Sequence, residues 1–191
     1  LYKELLNFCT VDLSAFYFDI RKDTLYCDPL SSQKRKSTLL VLNIILQCLL
    51  KWFAPILSFT TEEIYQLVSK KKNSIHLENF LNIPKKFENL ELNEKWSQLL
   101  KIRDVCNLSI EEKRASKEIG SSLEAAITIK INKQKLKILE GIDFAELCIT
   151  SLAEIKFHDT DEIEVQTNKA QGNKCPVCWK ISEEPCQRHG H

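Results

Sequence analysis

"STLLVLNIILQCLLKWFAPIL" (Ser37–Leu57) is the most apolar run of the chain, and its reading decides the fold. An uninterrupted apolar run of about 20 residues can span a bilayer. Asn43, Gln47 and Lys51 interrupt this one, so it reads as the core helix of a bundle. The spacing predicts a helix from about Gln33 to Phe53, with Ser31 or Ser32 as N-cap. Pro55 ends it, because the residue before a proline is pushed out of the helical region. Just beyond, "TTEEIYQLV" is expected to open another helix, with Thr60 and Glu63 at capping-box spacing.

Working outward, Leu1, Leu5, Phe8, Cys9, Asp12, Leu13 and Phe16 recur at helical spacing and predict a helix over residues 1–22. "YCDPLSS" breaks it, with Pro29 as the stop. Residues 70–93 hold Lys70, Lys71, Lys72, "SIHLENF" and Pro84 without periodicity, and read as a long connection. Asn93 is the expected cap of a fourth helix, faced by Trp96, Leu99, Leu100, Arg103, Cys106 and Ile110. Lys113, Arg114 and Lys117 crowd its end, where positive charge suits the macrodipole.

The texture changes at Gly120. In "AAITIKI" the residues Ile127, Ile129 and Ile131 fall on one side, which predicts a strand. Short helices at "KQKLKIL" and "DFAEL" follow, then strands at "ITSLAEIKF" and "EIEVQT". "NKAQGNK" is a turn-rich link to the tail. The expected fold class is mainly α: a helical bundle, a small α/β appendage and a C-terminal zinc knuckle. The expected domains are 1–118, 119–170 and 171–191.

The tail "KCPVCWKISEEPCQRHGH" pairs Cys175 with Cys178 and Cys186 with His189, with seven residues between the pairs. Two such pairs on tight turns can aim four ligands at one tetrahedral centre, which is what structural zinc prefers. Pro176 and Gly190 suit the turns, and Lys174, Lys180 and Arg188 favour thiolate. A redox pair would normally begin a helix in a thioredoxin-like βαβ unit, and none is apparent. Unligated cysteines in a frayed tail are the bland alternative. His191 competes with His189 as the fourth ligand. Four protein ligands leave no open position, so the zinc is read as structural and not catalytic.

Composition narrows the remaining classes. The chain has 191 residues, 43% of them hydrophobic, and a formal net charge of +1. A polyanionic partner would therefore need a local basic patch. Cys9, Cys48 and Cys106 lie on apolar helical stretches without disulfide-framework spacing, as expected of reduced thiols in a cytoplasmic protein. The four glycines are isolated, so no phosphate-cradling loop is expected. His76 and His158 read as packed or hydrogen-bonded loop histidines. With no Met, the sequence is read as an excised piece of something longer.

Several stretches, in order, resemble the C-terminal part of bacterial isoleucyl-tRNA synthetases. They are "NFCTVDLSAFYFDIRKDTLYC", "FAPILSFTTEEIY" (Phe53–Tyr65), "SIHLENF", "WSQLLKIRDVCNLSIEEKRASKEIGSSLEA" and "KAQGNKCPVCW". The resemblance implies a bundle of the class Ia anticodon-binding type. It implies a parent enzyme that joins isoleucine to its tRNA with ATP, and a tRNA anticodon stem-loop as partner. The family's tail has four cysteines, where this chain has His189 in the fourth place. The family's ATP signatures, His-Ile-Gly-His and Lys-Met-Ser-Lys-Ser, are absent, so ATP would bind outside this chain and the piece alone would be inactive. The catalytic and editing domains of the parent would be further partners; no membrane or DNA is expected. Unpaired bases are held by basic and planar groups, which nominates Arg21, Lys22, Lys174, Trp179, Lys180 and Arg188. Trp179 could stack on a base or pack over the zinc thiolates. A protein-docking zinc module and the matching segment of another class Ia synthetase are the alternatives.

Overall fold

Residues 2–69 and 73–190 are described by a computed structural model. The basic run at 70–72 and His191 lie outside the described residues. The backbone divides into two compact units, residues 24–88 and residues 1–23 with 89–191.

In the unit of residues 24–88, the apolar run forms helix α3, Gln33–Phe53. Its N-cap is Ser32, whose side chain accepts the Arg35 N–H at 3.3 Å. By length and composition alone α3 could cross a membrane. Leu50 and Ala54 instead share a buried cluster with Tyr65 of helix α4, Ser58–Val68, and with Ile75. The expected capping box does not form. Helix α4 begins two residues before Thr60, at Ser58, and no side chain caps it. Thr61 turns its hydroxyl back to the Leu57 carbonyl at 3.0 Å. Glu62, not Glu63, reaches a free amide: its carboxylate accepts from Ile75 N–H and the Ser74 hydroxyl. The same spacing of three recurs throughout a helix, so the motif could not mark the helix start.

The other unit opens with helix α1, Tyr2–Asn7, a π-helical stretch Phe8–Phe18, and helix α2, Asp19–Cys27, which continues past the division between units. Helical structure thus runs five residues beyond the expected end at 22 and stops where Pro29 requires. Helix α5, Leu90–Ala115, is capped by Asn89, whose side chain accepts the Leu92 N–H at 2.9 Å. Asn93 lies inside that helix. Leu90 and Leu92 are exposed, so the first turn shows no core-facing residue and periodicity starts too late.

Strand β1, Ala125–Ile131, alternates buried and half-buried residues as the sequence predicts. Helices α6, Lys133–Leu139, and α7, Phe144–Leu147, carry the chain over to strand β2, Leu152–Phe157. Strand β2 pairs parallel to β1, and β3, Glu164–Lys169, pairs antiparallel on the other side, in the order β2-β1-β3. Parallel neighbours require such a crossover. Ile127, Ile129 and Ile131 share one core with Leu99, Ile102, Cys106 and Ile110 of α5 and with Ile20. Helix α5 therefore belongs with the sheet. Cys48 and Cys106 are buried free thiols, while Cys9 is half-buried. A hydrogen bond with the neighbouring Cys148 thiol, together with burial, pushes the Cys106 thiol up.

Candidate metal centre

The tail is a short hairpin, β4 (Asn173–Lys174) paired antiparallel with β5 (Ile181–Ser182). Its entry is Gly172, at φ 112°, where a Cβ would lie 2.1 Å from the Ser182 carbonyl oxygen. Any side chain there would drive the strands apart. Ser151, at the head of β2, fastens the hairpin to the sheet. Its hydroxyl donates to the Leu123 carbonyl and accepts the Ile181 N–H.

Each cysteine pair sits on a turn of the same construction. In the first, the Cys175 carbonyl accepts the Trp179 N–H at 3.0 Å; in the second, the Cys186 carbonyl accepts the Gly190 N–H at 2.7 Å. The closing residues share the left-handed backbone, φ 65° at Trp179 and 69° at Gly190. Amides from each turn point at its first sulfur. The Cys178 and Val177 N–H groups bring the Cys175 thiol down to about 6. Burial works against Cys186, but the Arg188 and His189 amides outweigh it and lower that thiol too. Cys178 goes the other way, raised first by burial and then by its neighbouring thiols.

The donor atoms of Cys175, Cys178, Cys186 and His189 all lie within 4.8 Å of one another. The Cys178–Cys186 sulfurs are 3.8 Å apart, and His189 Nδ1 lies 3.5 Å from the Cys175 sulfur and 3.3 Å from that of Cys186. Zinc–sulfur bonds of about 2.3 Å in a tetrahedron give edges of about 3.8 Å. The set could hold a metal ion and fits zinc in donor type and spacing.

The other nominated residues are placed less uniformly. Trp179 is 59% exposed, and the Lys174 ammonium lies 5.7 Å from its ring centroid. Lys180 is half-buried. Arg21 is bonded to Glu146 at 2.7 Å and also lies over the Tyr17 ring. Lys22 pairs with Asp19, exposed, at 2.7 Å. Arg188 grips Asp23 with two bonds. His158 accepts or donates to Thr160 at 2.7 Å, as a hydrogen-bonded loop histidine should, whereas His76 is exposed. Sequence reasoning missed Asp23, Ser151 and Gly172. Only Gly172 left a signal, as the glycine of a turn-rich link.

Residues 1–130 match the family model described as the anticodon-binding domain of tRNA ligase, and the chain belongs to that family. Among full-length relatives it is similar to the isoleucine–tRNA ligase of Pelagibacter ubique, 64% identical across 99% of this chain and 21% of the relative. It is also similar to those of Bartonella quintana, 42% identical over 95% of this chain and 20% of the relative, and Gluconobacter oxydans, 39% identical over 100% and 20%. The chain spans about a fifth of the length of the curated relatives it matches.

Proposed function

We propose that this chain is the anticodon-holding part of an isoleucine–tRNA ligase and that its tail binds one structural zinc. The observation that carries the reading is the anticodon-binding family match over residues 1–130, continued by likeness to isoleucine–tRNA ligases through the tail. The parent enzyme would join isoleucine to its tRNA with ATP in the cytoplasm. ATP would be held by the catalytic domain, and this piece alone would be inactive. Cys175, Cys178, Cys186 and His189 would hold the zinc, which supplies a fixed crosslink between the two turns and no chemistry.

For the RNA, the reading favours Trp179 with Lys174 and Lys180. An exposed indole in a strained backbone, beside an ammonium, is a platform for an unpaired base next to a phosphate partner. Lys22 is an exposed phosphate candidate. Arg21 and Arg188 already hold carboxylates, so direct contact would require them to exchange partners.

The test is binding of an isoleucine-tRNA anticodon stem-loop against a scrambled hairpin over a salt series. The matched loop should bind more tightly, and affinity should fall with salt as counterions are released. Lys174→Ala and Lys180→Ala should weaken both RNAs and flatten the salt slope. Equal, salt-insensitive binding of both hairpins, or none, would reject the RNA role in favour of a protein-docking module.

A further inference from the structure

Arg188 stands between two of the four donor residues, Cys186 and His189. Its own amide points at the Cys186 sulfur, so the turn that holds a ligand also sets where the Arg188 side chain leaves the backbone. That side chain crosses to the N-terminal helix. Nη1 lies 2.7 Å from Asp23 Oδ2, and Nη2 lies 2.9 Å from Oδ1. The pair is 32% and 29% exposed, so water screens it only in part. A two-bond fork between guanidinium and carboxylate fixes angle as well as distance, which a single lysine contact does not.

Asp23 lies within α2, Asp19–Cys27, and is the last residue of that helix inside the tail's unit. Just before it, α2 is already tied to the same unit by Ile20 in the core and by Arg21 on Glu146. Lys22, a candidate RNA contact, sits between the two arginine-linked positions. With no metal, the four donors lose the bonds to a common ion that would fix them, and the turn carrying Arg188 gains freedom that the fork must then overcome.

We propose that the tail's metal positions helix α2 through Arg188: the loaded turn aims the guanidinium, and the guanidinium holds Asp23. Arg188 and Asp23 are positioning residues and not direct RNA contacts. The proposal rests on the reading of the tail as a zinc site. It explains why a basic residue that lies between two ligands bonds a carboxylate 165 positions away in the chain.

Hydrogen exchange on the 191-residue chain tests it, with zinc loaded or stripped by a chelator and zinc content measured alongside. Stripping should speed exchange in Asp19–Cys27 about fivefold, the scale of one partly screened ion pair. Arg188→Ala and Asp23→Asn should show the same faster exchange with zinc still bound, and stripping should add nothing further in that helix. Should Arg188→Ala lose its zinc, Asp23→Asn decides, since it leaves the knuckle untouched. A chain that takes up zinc but shows unchanged exchange in Asp19–Cys27 on stripping defeats the clasp alone. So does zinc-loaded Asp23→Asn exchanging like the native chain. A chain that takes up no zinc defeats the metal reading beneath it.

Discussion

The two turns of the tail are built to one plan and finished with different residues. Cys175–Trp179 and Cys186–Gly190 each aim two amides at a leading sulfur and close with a residue in the left-handed region. In the second turn that residue is glycine, which adopts the conformation without steric cost. In the first it is tryptophan, for which the same backbone costs about 1–2 kcal/mol. The second turn also ends in His189 where the first ends in Cys178. Metal-binding geometry alone asks for neither difference, because either residue can ligate and glycine would close either turn. The contrast separates what the two turns share, amides aimed at a leading sulfur, from what only the first leaves exposed, the Trp179 indole.

The comparison can be broken most severely at the ligands. Cys178→Ser should take zinc from about one per chain to none while leaving the helical signal in place, whereas His189→Cys should retain zinc and make the two donor pairs alike. Elemental analysis and circular dichroism read both. Loss of zinc from His189→Cys would mean that the imidazole is needed for more than its donor atom. The next effect is on RNA. Trp179→Gly should ease the first turn and keep zinc, yet cost on the order of 1–3 kcal/mol of anticodon-loop affinity and erase preference for the matched loop. If zinc leaves and RNA preference stays, the ring serves the metal and stacking fails. The smallest effect is at the second turn. A Cβ on Gly190 would meet nothing within 4 Å, so Gly190→Ala should cost only the backbone strain, about 1 kcal/mol. Chelator competition should register that as roughly fivefold weaker zinc; unchanged affinity would show that the left-handed closure is dispensable.

What could be read from the sequence follows the range of each interaction. The ligand set was legible because Cys-x-x-Cys and Cys-x-x-His fix their geometry within a few bonds. Strand β1 was legible because one of its faces is buried against α5 and the other is not. The start of α5 was not, since its first leucines face water. Nor could a single sequence announce that Phe8–Phe18 changes its hydrogen-bond step. The partners of Arg21 and Arg188 lie 125 and 165 positions away, beyond any local pattern. Both arginines therefore read as open basic residues although each is held by a carboxylate. Nor could the sequence show that Trp179 takes a left-handed backbone and is exposed, since neither follows from a Cys-x-x-Cys-Trp spacing.

The Ser151 hydroxyl carries a consequence for the order of assembly. It joins the Leu123 carbonyl, ahead of β1, to the Ile181 amide in the last hairpin. It reaches that position only once β2 has crossed over and paired with β1, for the Ser151 amide is itself bonded to the Ala125 carbonyl. The pairing of β1 with β2 therefore sets the site on which the Ile181 amide of the last hairpin closes.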